Sequence, residues 1–489
     1  MAGVGRRAHR GGPVNALVFA RAFARARWLA RRFRSRDDLR RWQNRRAAAH
    51  LARVASHAPF LAERLRGVRL ADGGWRDVPP VAKADVLARF ADANTAGVRL
   101  DDALAVAERA EATRDFAPEL PTPRGPLTVG LSTGTSGRRG VFLASPAERA
   151  AWAGTVLARA LHVSPLRRGG LRVALVLRAG GPLYESVGRG PLAFRFFDLL
   201  APVADLVAAV GAYRPDVLVA PPAALRILAE AQRAGRLRLT PRQVTSCADV
   251  LGPDDAAAVT DAWGVPPGEI YQATEGFLGA TCAHGTLHLN EDAVVVQPGW
   301  LDDDGHTRRP SPPTVPPLPE GEGFALSGSR AEGTVGRRFV PVLTDLRRTT
   351  QPALRLRLDD VLVAGPPCPC GSILRPLARV EGRTDDVLRW PTAGGTRLVF
   401  PDFVRRAVAG AHPAVRDFRV TQTGAQTLDV ALDLDGGDEA PRRAVAEALG
   451  ALARRLGARP MTVRFVAFQA LPPGAKQRRV RRARTVRVE

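Results

Sequence analysis

The sequence is almost without lysine, since only Lys83 and Lys476 are lysine among its 72 basic residues. It has four cysteines in 489 residues, too few for a disulfide framework, so we expect a protein of the reducing cytoplasm. No apolar run approaches the ~20 residues of a membrane-spanning helix. These absences argue against a disulfide-stabilised protein and an integral helical membrane protein, and they draw attention to the two lysines.

Arginine is abundant instead, and it is distributed unevenly. The formal net charge is +24, and residues 1–50 hold 14 arginines against two aspartates. Residues 476–489 add one lysine and six arginines against a single glutamate. Because these two ends carry most of the excess, the body of the chain is not a polycation of the kind that coats nucleic acid.

Residues 15–34 (NALVFARAFARARWLARRFR) have the pattern of a basic amphipathic helix. Such a helix can lie on anionic lipid or on a nucleic-acid backbone, which would give residues 1–50 a membrane or nucleic-acid partner. The interpretation that we favour is a helix packed through Leu17, Phe23 and Leu29 with a solvated arginine face, because no aromatic platform for bases accompanies it.

The length and the patterning predict two or more domains. We expect a basic helical extension over residues 1–70, because apolar positions recur there at three- and four-residue spacing. From about residue 127, apolar strand-like runs alternate with helical segments, and we expect residues 71–384 to form a large α/β domain with mainly parallel strands. Residues 385–489 predict a small, mobile α+β domain that ends in a basic tail.

The stretch LSTGTSGRRG (131–140), here called the Ser/Thr/Gly loop, is the most informative local pattern. Glycines allow a tight turn, and the backbone N–H groups with the hydroxyls can form a nest for anions, to which arginine adds positive charge. A flexible hairpin turn is the alternative. The predicted phosphate-binding residues of the loop are Ser132, Thr133, Gly134, Thr135, Ser136, Gly137 and Arg138.

Four further segments carry residues suited to nucleotide chemistry. In YQATEG (271–276), the aromatic ring of Tyr271 can stack on a purine, Thr274 can reach a phosphate and Glu275 can bind Mg²⁺. Asp360 ends the run PALRLRLDD and can accept hydrogen bonds from a ribose. Residues 381–386 (EGRTDD) lie at the predicted domain junction, and LPPGAK (471–476) presents Lys476 on a glycine turn.

In their order and spacing, these motifs resemble those of the adenylate-forming superfamily of acyl-CoA ligases and adenylation domains. The phrase HGTLHLNEDAVVV (284–296) and the CPCG at 368–371 resemble the phenylacetate–CoA ligase-like proteins and the related synthetases that adenylylate a deazaflavin coenzyme. The resemblance covers about residues 75–485. It implies that the chain uses ATP and Mg²⁺ to convert a small-molecule carboxylate to an acyl adenylate, and then transfers the acyl group to CoA or a carrier-protein thiol.

The resemblance also implies roles for individual residues. Thr274 and Glu275 would hold the α-phosphate and Mg²⁺, Tyr271 would pack near the adenine, and Asp360 would bind the ribose with help from Arg383. Lys476 would bridge the substrate carboxylate and the α-phosphate during catalysis, and Asp385 would be the hinge of the small domain. The Ser/Thr/Gly loop departs from the family pattern, which has a lysine where Arg138 stands.

Three of the four cysteines fall in two tight pairs, which predict a zinc site. The Cys-x-His of Cys282 and His284 and the Cys-x-Cys of Cys368 and Cys370 together offer three thiolates and one imidazole. This is a ligand set of closed structural zinc sites, although the spacing within the pairs is shorter than usual. Reduced cysteines beside an exposed histidine are the alternative.

Two other functions are also compatible with the sequence motifs. The first is transfer of AMP to a hydroxyl of a coenzyme-like acceptor, as in the deazaflavin-coenzyme relatives, without a thioester. The second is a protein that keeps nucleotide binding and has lost catalysis.

Overall fold

The computed structural model describes residues 13–131, 140–164, 169–177, 192–301, 334–383, 387–469 and 478–483. The chain forms two compact units. The first consists of Met1–Val295, Thr344–Arg355 and Cys368–Leu374, and the second of Val296–Leu343, Leu356–Pro367 and Arg375–Glu489. The three-part division of the sequence at residues 70 and 384 stays a prediction.

The first unit contains a mainly parallel sheet. Strands β5, β4, β6, β7 and β8 pair in that order and all in parallel, and β9 and β10 then continue the sheet antiparallel. These strands are β4 (Leu171–Leu177), β5 (Leu192–Asp198), β6 (Val217–Ala220), β7 (Gln243–Ser246), β8 (Gly268–Ala273), β9 (Gly276–Thr281) and β10 (Leu287–Leu289). The short β1 (Val81–Ala82) precedes them, and β2 (Thr128–Leu131) and β3 (Val141–Ala144) form a separate antiparallel hairpin around the Ser/Thr/Gly loop.

The first unit contains ten helices among the described residues, and the last four of them alternate with the strands of this sheet. The ten helices are α1 (Pro13–Arg32), α2 (Arg36–Ala55), α3 (Pro59–Arg64), α4 (Lys83–Ala88), α5 (Phe90–Ala93), α6 (Leu100–Thr113), α7 (Pro146–Ala160), α8 (Val203–Tyr213), α9 (Pro222–Arg233) and α10 (Pro253–Trp263). The apolar runs of the buried strands pack on the apolar faces of these helices. Leu218 of β6, Leu225 and Leu228 of α9 and Val259 of α10 share one fully buried cluster. The sheet is thereby held between helical layers, as an α/β fold requires.

Helix α7 begins where the sequence predicts a helix. The Ser145 hydroxyl accepts the N–H of Glu148, and the Glu148 carboxylate accepts the N–H of Ser145 at 2.9 Å. This capping box, with Pro146 in the first turn, satisfies backbone donors that the helix itself leaves free.

Helix α1 packs closely on α7, and one glycine allows the approach. A Cβ atom on Gly154 would overlap the backbone carbonyl oxygen of Phe19 and would stand 3.1 Å from the nitrogen of Phe23. Phe23 packs in a cluster with residues of α7, and Leu29 is fully buried, as expected from the sequence. The expected packing of Leu17 is wrong, because its side chain is 72% exposed.

We expect Gly154→Ala to destabilise the protein by about 1–3 kcal/mol, because the added methyl group forces the backbones of α1 and α7 apart. Denaturant unfolding measures this change. Gly450→Ala is the matched control within a helix, since its added Cβ would meet no atom nearer than Nη1 of Arg454 at 3.6 Å. That control should be neutral or stabilising by up to ~1 kcal/mol. Equal midpoints for the two variants would contradict the close helix contact.

The second unit contains an antiparallel sheet and a smaller α+β part. Strands β13 (Leu356–Arg357), β12 (Arg338–Asp345), β14 (Asp360–Ala364) and β15 (Pro376–Arg383) pair in that order, and β11 (Val294–Trp300) pairs with β12. The smaller part has a hairpin of β16 (Leu388–Thr392) and β17 (Gly395–Val399) and a sheet in the order β20-β19-β18-β21. The strands of that sheet are β18 (Val415–Gly424), β19 (Thr427–Leu434), β20 (Thr462–Val466) and β21 (Val480–Arg482), and its helices are α11 (Pro401–Ala409) and α12 (Glu439–Arg455).

The smaller part has its own hydrophobic core. Trp390 of the hairpin, Val404 of α11, Val430 of β19 and Leu449 of α12 are fully buried in one cluster. The predicted fold class is therefore confirmed: a larger α/β part with mainly parallel strands and a smaller α+β part. None of the helices in the described ranges has an apolar stretch long enough to cross a bilayer.

Candidate functional site

Thr274 and Glu275 lie at the carboxyl end of the parallel strand β8. In open α/β sheets, ligands bind in the crevice outside this edge. Gly276 follows with φ +145°, a conformation that favours glycine, and the chain then reverses into β9. At the neighbouring end of β7, Ala248 has φ +67°, a costly conformation for a residue with a side chain.

Lys83 is the residue that the structure adds to this motif. Its ammonium nitrogen is 2.9 Å from Oε1 of Glu275 and donates a hydrogen bond of 2.7 Å to the Thr274 hydroxyl. Lys83 is the first residue of α4, and the Asp85 carboxylate accepts the backbone N–H of Ala82 just before it. One of only two lysines in the chain therefore contacts both polar residues of the predicted phosphate and magnesium motif.

Lys83 also controls the charge of Glu275, whose side chain is only 9% exposed. Burial opposes ionisation of this carboxyl group, but the nearby ammonium and the hydrogen bonds from Lys83 and Thr274 outweigh burial and hold its pKa below the usual value. Glu275 is therefore an ionised carboxylate in a largely dry environment.

Arg348 joins this turn to the hairpin that flanks the Ser/Thr/Gly loop. One end of its guanidinium donates to the carbonyl oxygen of Thr274 at 2.9 Å, and the other donates to the carbonyl oxygen of Leu143 in β3 at 3.3 Å. Gln351 adds to this connection, because its side chain accepts from Arg348 and from the Leu143 N–H and donates to the carbonyl of Val141. The guanidinium of Arg348 thus connects the turn after β8 with the strand that leaves the loop, and Gln351 supports this connection.

Glu148 holds the segment that carries Arg348. Its carboxylate accepts the backbone N–H groups of Thr349 and Thr350 at 2.7 and 2.9 Å. Burial raises the energy of the charged form, but hydrogen bonds from the Thr350 hydroxyl and from the N–H groups of Ser145 and Thr350, together with the charge of Arg348, lower the pKa of Glu148 below its usual value. Sequence patterning gave no sign of either Arg348 or Glu148 as part of the site, because their partners are far away in the chain.

Several predicted site residues lie outside the described residues. They are Ser132, Thr133, Gly134, Thr135, Ser136, Gly137, Arg138, Asp385 and Lys476. Their roles stay predictions, although the strands on both sides of the Ser/Thr/Gly loop are described and paired.

The remaining predicted nucleotide contacts fall in both units. Tyr271 lies in β8 of the first unit and its side chain is 8% exposed. Asp360 begins β14 of the second unit and is paired in register with Arg383 of β15. The expected contacts of Asp360 and Arg383 with a ribose stay predictions.

The cysteine pairs come together, but with a different histidine from the one predicted. The Sγ atoms of Cys282, Cys368 and Cys370 and a ring nitrogen of His288 all lie within 4.8 Å of one another. The prediction of His284 is wrong, because its side chain is exposed and lies outside this group. His284 is exposed in the turn between β9 and β10, and the histidine of the group is instead His288 of the following strand β10.

The spacing of these four ligand atoms suits a tetrahedral zinc ion. The Sγ atoms of Cys282 and Cys368 are 3.6 Å apart, and the Sγ of Cys370 is 3.4 Å from Nε2 of His288. A tetrahedron with zinc–sulfur bonds of about 2.3 Å has edges of about 3.8 Å, somewhat shorter where nitrogen replaces sulfur. Nδ1 of His288 donates to the carbonyl oxygen of Leu374 at 3.0 Å, which directs Nε2 toward the thiols.

The two thiols of the Cys-x-Cys pair differ in acidity. Burial disfavours ionisation of Cys368, but hydrogen bonds from the Thr286 side chain and from the Cys370 N–H lower its pKa to about 6. Burial and the neighbouring Cys368 raise the pKa of Cys370 to about 11. Cys247 stands apart, and burial raises the pKa of its thiol to about 12, which suits a core residue.

The fold is similar to that of 2-hydroxyisobutyryl-CoA ligase. A structure of that enzyme in the postadenylation state, in complex with 2-HIB-AMP, matches with a TM-score of 0.62 at 19% identity over 91% of this chain and 89% of that chain. An open conformation in complex with 2-HIB-AMP and CoA matches with a TM-score of 0.53 at 18% identity, over 91% of each chain. No protein-family model and no curated protein matches the sequence. The chain therefore has the fold of the adenylate-forming CoA ligases, which confirms the resemblance at the level of the fold.

Proposed function

We propose that this protein is an ATP-dependent ligase that adenylates a small-molecule carboxylic acid and passes the acyl group to CoA or another thiol. The observation that carries the proposal is the contact of Lys83 with both Thr274 and Glu275 at the carboxyl edge of the parallel sheet. A partly exposed cation beside a buried, ionised carboxylate suits a triphosphate with its metal ion. The similar ligase with 2-HIB-AMP bound supports the same chemistry for this fold.

In the first half-reaction, a carboxylate oxygen attacks the α-phosphorus of ATP and the bond to pyrophosphate breaks. Negative charge builds on the phosphorus-bound oxygens and on the leaving pyrophosphate, so the protein contributes positioning and electrostatic stabilisation. The hydroxyl of Thr274 and the ammonium of Lys83 would donate hydrogen bonds to phosphate oxygens. Arg348 connects this turn to the hairpin that flanks the Ser/Thr/Gly loop. That loop would hold the β- and γ-phosphates.

In the second half-reaction, a thiolate attacks the carbonyl carbon of the acyl adenylate and AMP leaves. Lys476, on the smaller domain, would neutralise charge in the first step. A hinge at Asp385 would let that domain present a different surface for the second step.

The residues present fit a magnesium ion. The ionised Glu275 is a hard oxygen ligand, and it would hold the ion together with the Thr274 hydroxyl. When bound, Mg²⁺ neutralises charge on the phosphate groups. Lys83 would then share Glu275 with the metal ion and would be free to turn toward the phosphates.

ATP–pyrophosphate exchange against a panel of aryl, fatty and amino acids tests the proposed reaction. We expect exchange that depends on a subset of the carboxylates and a thioester when CoA is added. A stable phosphodiester with a hydroxyl acceptor, formed without carboxylate-dependent exchange, would favour AMP transfer instead. Nucleotide binding without either product would indicate a protein that has lost catalysis.

We also propose that Cys282, His288, Cys368 and Cys370 bind a structural zinc ion. Three thiolates and one imidazole leave no open position on a tetrahedral ion, so the site would stabilise the fold and would take no part in the reaction. It would tie the loop at Cys368 to the β9–β10 hairpin.

Replacing His288 with glutamine should remove most of the zinc and lower the thermal midpoint, because the ion loses one of its four ligands. His284→Gln is the matched control and should keep one zinc per chain, since that side chain is exposed. Metal content measured by atomic absorption, together with thermal unfolding with and without a chelator, checks both variants. Zinc loss in His284→Gln but not in His288→Gln would contradict the ligand set.

A further inference from the structure

Helix α1 packs on the protein through one face, and its opposite face is exposed. Ala26 and Leu29 are fully buried, and Gly154 of α7 allows the helix to pack closely. The inner face of α1 is therefore packed against the protein, and the opposite face is accessible to a partner molecule.

The outer face of α1 consists of the residues that are exposed at helical spacing. They are Ala16, Leu17, Ala20, Arg21, Ala24, Arg27, Trp28, Arg31 and Arg32. No acidic residue is among them, so nothing on this face neutralises its arginines.

Two large apolar side chains stand among these arginines. Leu17 is 72% exposed and Trp28 is 56% exposed. They are eleven residues apart, about 16 Å along the helix, and therefore lie on the same side three turns apart. The guanidinium of Arg32 is 4.7 Å from the centre of the Trp28 ring, which is the distance of a cation–π contact.

This combination favours one kind of partner. Anionic lipid headgroups attract arginines. Tryptophan is stable at the boundary between headgroups and acyl chains, and a leucine that inserts there buries apolar surface. Nucleic acid would attract the same arginines, but it offers no apolar layer for Leu17 and the alanines between the turns. Charge complementarity and the exposed apolar residues together therefore indicate a membrane surface.

We propose that the outer face of α1 docks the protein on an anionic lipid surface. Trp28 and Leu17 insert at the level of the headgroups, and Arg21, Arg27, Arg31 and Arg32 contact lipid phosphates. The association is peripheral and reversible, because the helix keeps its inner face in the protein core. It would bring the ligase to a surface where an apolar carboxylic acid can be delivered.

Vesicle co-sedimentation of the full chain tests the proposal. Wild-type protein should bind vesicles of phosphatidylcholine and phosphatidylglycerol in equal parts and should not bind phosphatidylcholine alone. The triple variant Arg27→Gln, Arg31→Gln and Arg32→Gln should weaken partitioning about 100-fold, since each arginine near an anionic surface contributes about fivefold. The triple variant Arg233→Gln, Arg236→Gln and Arg238→Gln removes the same charge from exposed positions at the end of α9 and should bind normally.

Tryptophan fluorescence distinguishes insertion from simple adsorption. Trp28 is exposed, whereas each of the other six tryptophans is buried or half-buried. Anionic vesicles should shift the emission of the wild type to shorter wavelength. Trp28→Phe should still bind but without that shift, and Trp28→Ser should bind about tenfold more weakly. Val466→Ser, at an exposed apolar position in the second unit, should behave as wild type.

Three results would overturn the proposal. The first is binding that is equal on neutral and anionic vesicles. The second is anionic binding that the arginine variants on α1 and α9 lower equally. The third is absence of vesicle binding combined with salt-sensitive binding to duplex DNA that Trp28→Ser leaves unchanged, which would make α1 a nucleic-acid contact. None of these measurements depends on the ligase activity, so the failure of that proposal would not affect them.

Discussion

Replacing Lys83 with methionine is expected to lower ATP–pyrophosphate exchange by about 100-fold at neutral pH. The ammonium of Lys83 is 2.9 Å from Glu275 and 2.7 Å from the Thr274 hydroxyl. Methionine keeps the length and removes the charge, so a buried carboxylate loses its cation and the phosphates lose a donor. Steady-state exchange at saturating carboxylate measures the loss.

The pH dependence of this variant gives a sharper test than its rate. In the wild type, the pKa of Glu275 is held below its usual value, so the carboxylate stays ionised throughout the neutral range. Without Lys83, burial dominates and raises that pKa, so Glu275 binds a proton as the pH falls. The exchange rate of Lys83→Met should therefore increase as the pH rises through the neutral range. The exchange rate of the wild type should show no such increase, because its Glu275 is already ionised.

Two controls separate this effect from general damage. Lys83→Arg keeps the charge and should show the wild-type pH profile with a lower rate, because guanidinium cannot reproduce the compact contact with both partners. Arg89→Met breaks a solvent-exposed ion pair with Glu63 and should leave exchange unchanged. A Lys83→Met profile that coincides with that of the wild type would show that Glu275 does not depend on this lysine.

The sequence predicted the local elements well, because their signals lie within a few residues of each other. The Ser145-Pro146 start of α7 and the apolar runs of β4 and β6 are examples. The fold class followed from their alternation. Leu17 was misplaced because an amphipathic pattern with many alanines does not fix which apolar residues face the protein.

Contacts between residues far apart in the chain could not be predicted from the sequence. Lys83 meets Thr274 across 191 positions and Arg348 meets the same residue across 74. Scarcity of lysine drew attention to Lys83 but gave no partner. The prediction of His284 rested on its place two residues after Cys282, yet the hairpin of β9 and β10 pairs His288 with Ala280 and brings its ring beside Cys370.

Replacing Lys476 with alanine is expected to abolish ATP–pyrophosphate exchange, a loss of about 1,000-fold, while ATP binds with nearly unchanged affinity. The resemblance implies that this lysine would lie between the substrate carboxylate and the α-phosphate, where negative charge would increase only as the new bond forms. An interaction made in the transition state contributes to the rate and little to ground-state binding. The Ser/Thr/Gly loop and the Thr274 turn would still hold the nucleotide, so a fluorescent ATP analogue should titrate as in the wild type.

The alternative for Lys476 is an ordinary solvated residue of the basic tail, and the neighbouring arginines give a direct comparison. Arg481→Ala removes the same charge from an exposed position in β21 and should keep exchange within about twofold, as expected for an exposed charge. Equal effects of Lys476→Ala and Arg481→Ala would assign Lys476 to the tail. A selective loss would explain why a chain with 72 basic residues keeps lysine at this position. There a compact ammonium would bridge two oxygens, whereas a wider, planar guanidinium would suit the phosphate contacts predicted for the Ser/Thr/Gly loop.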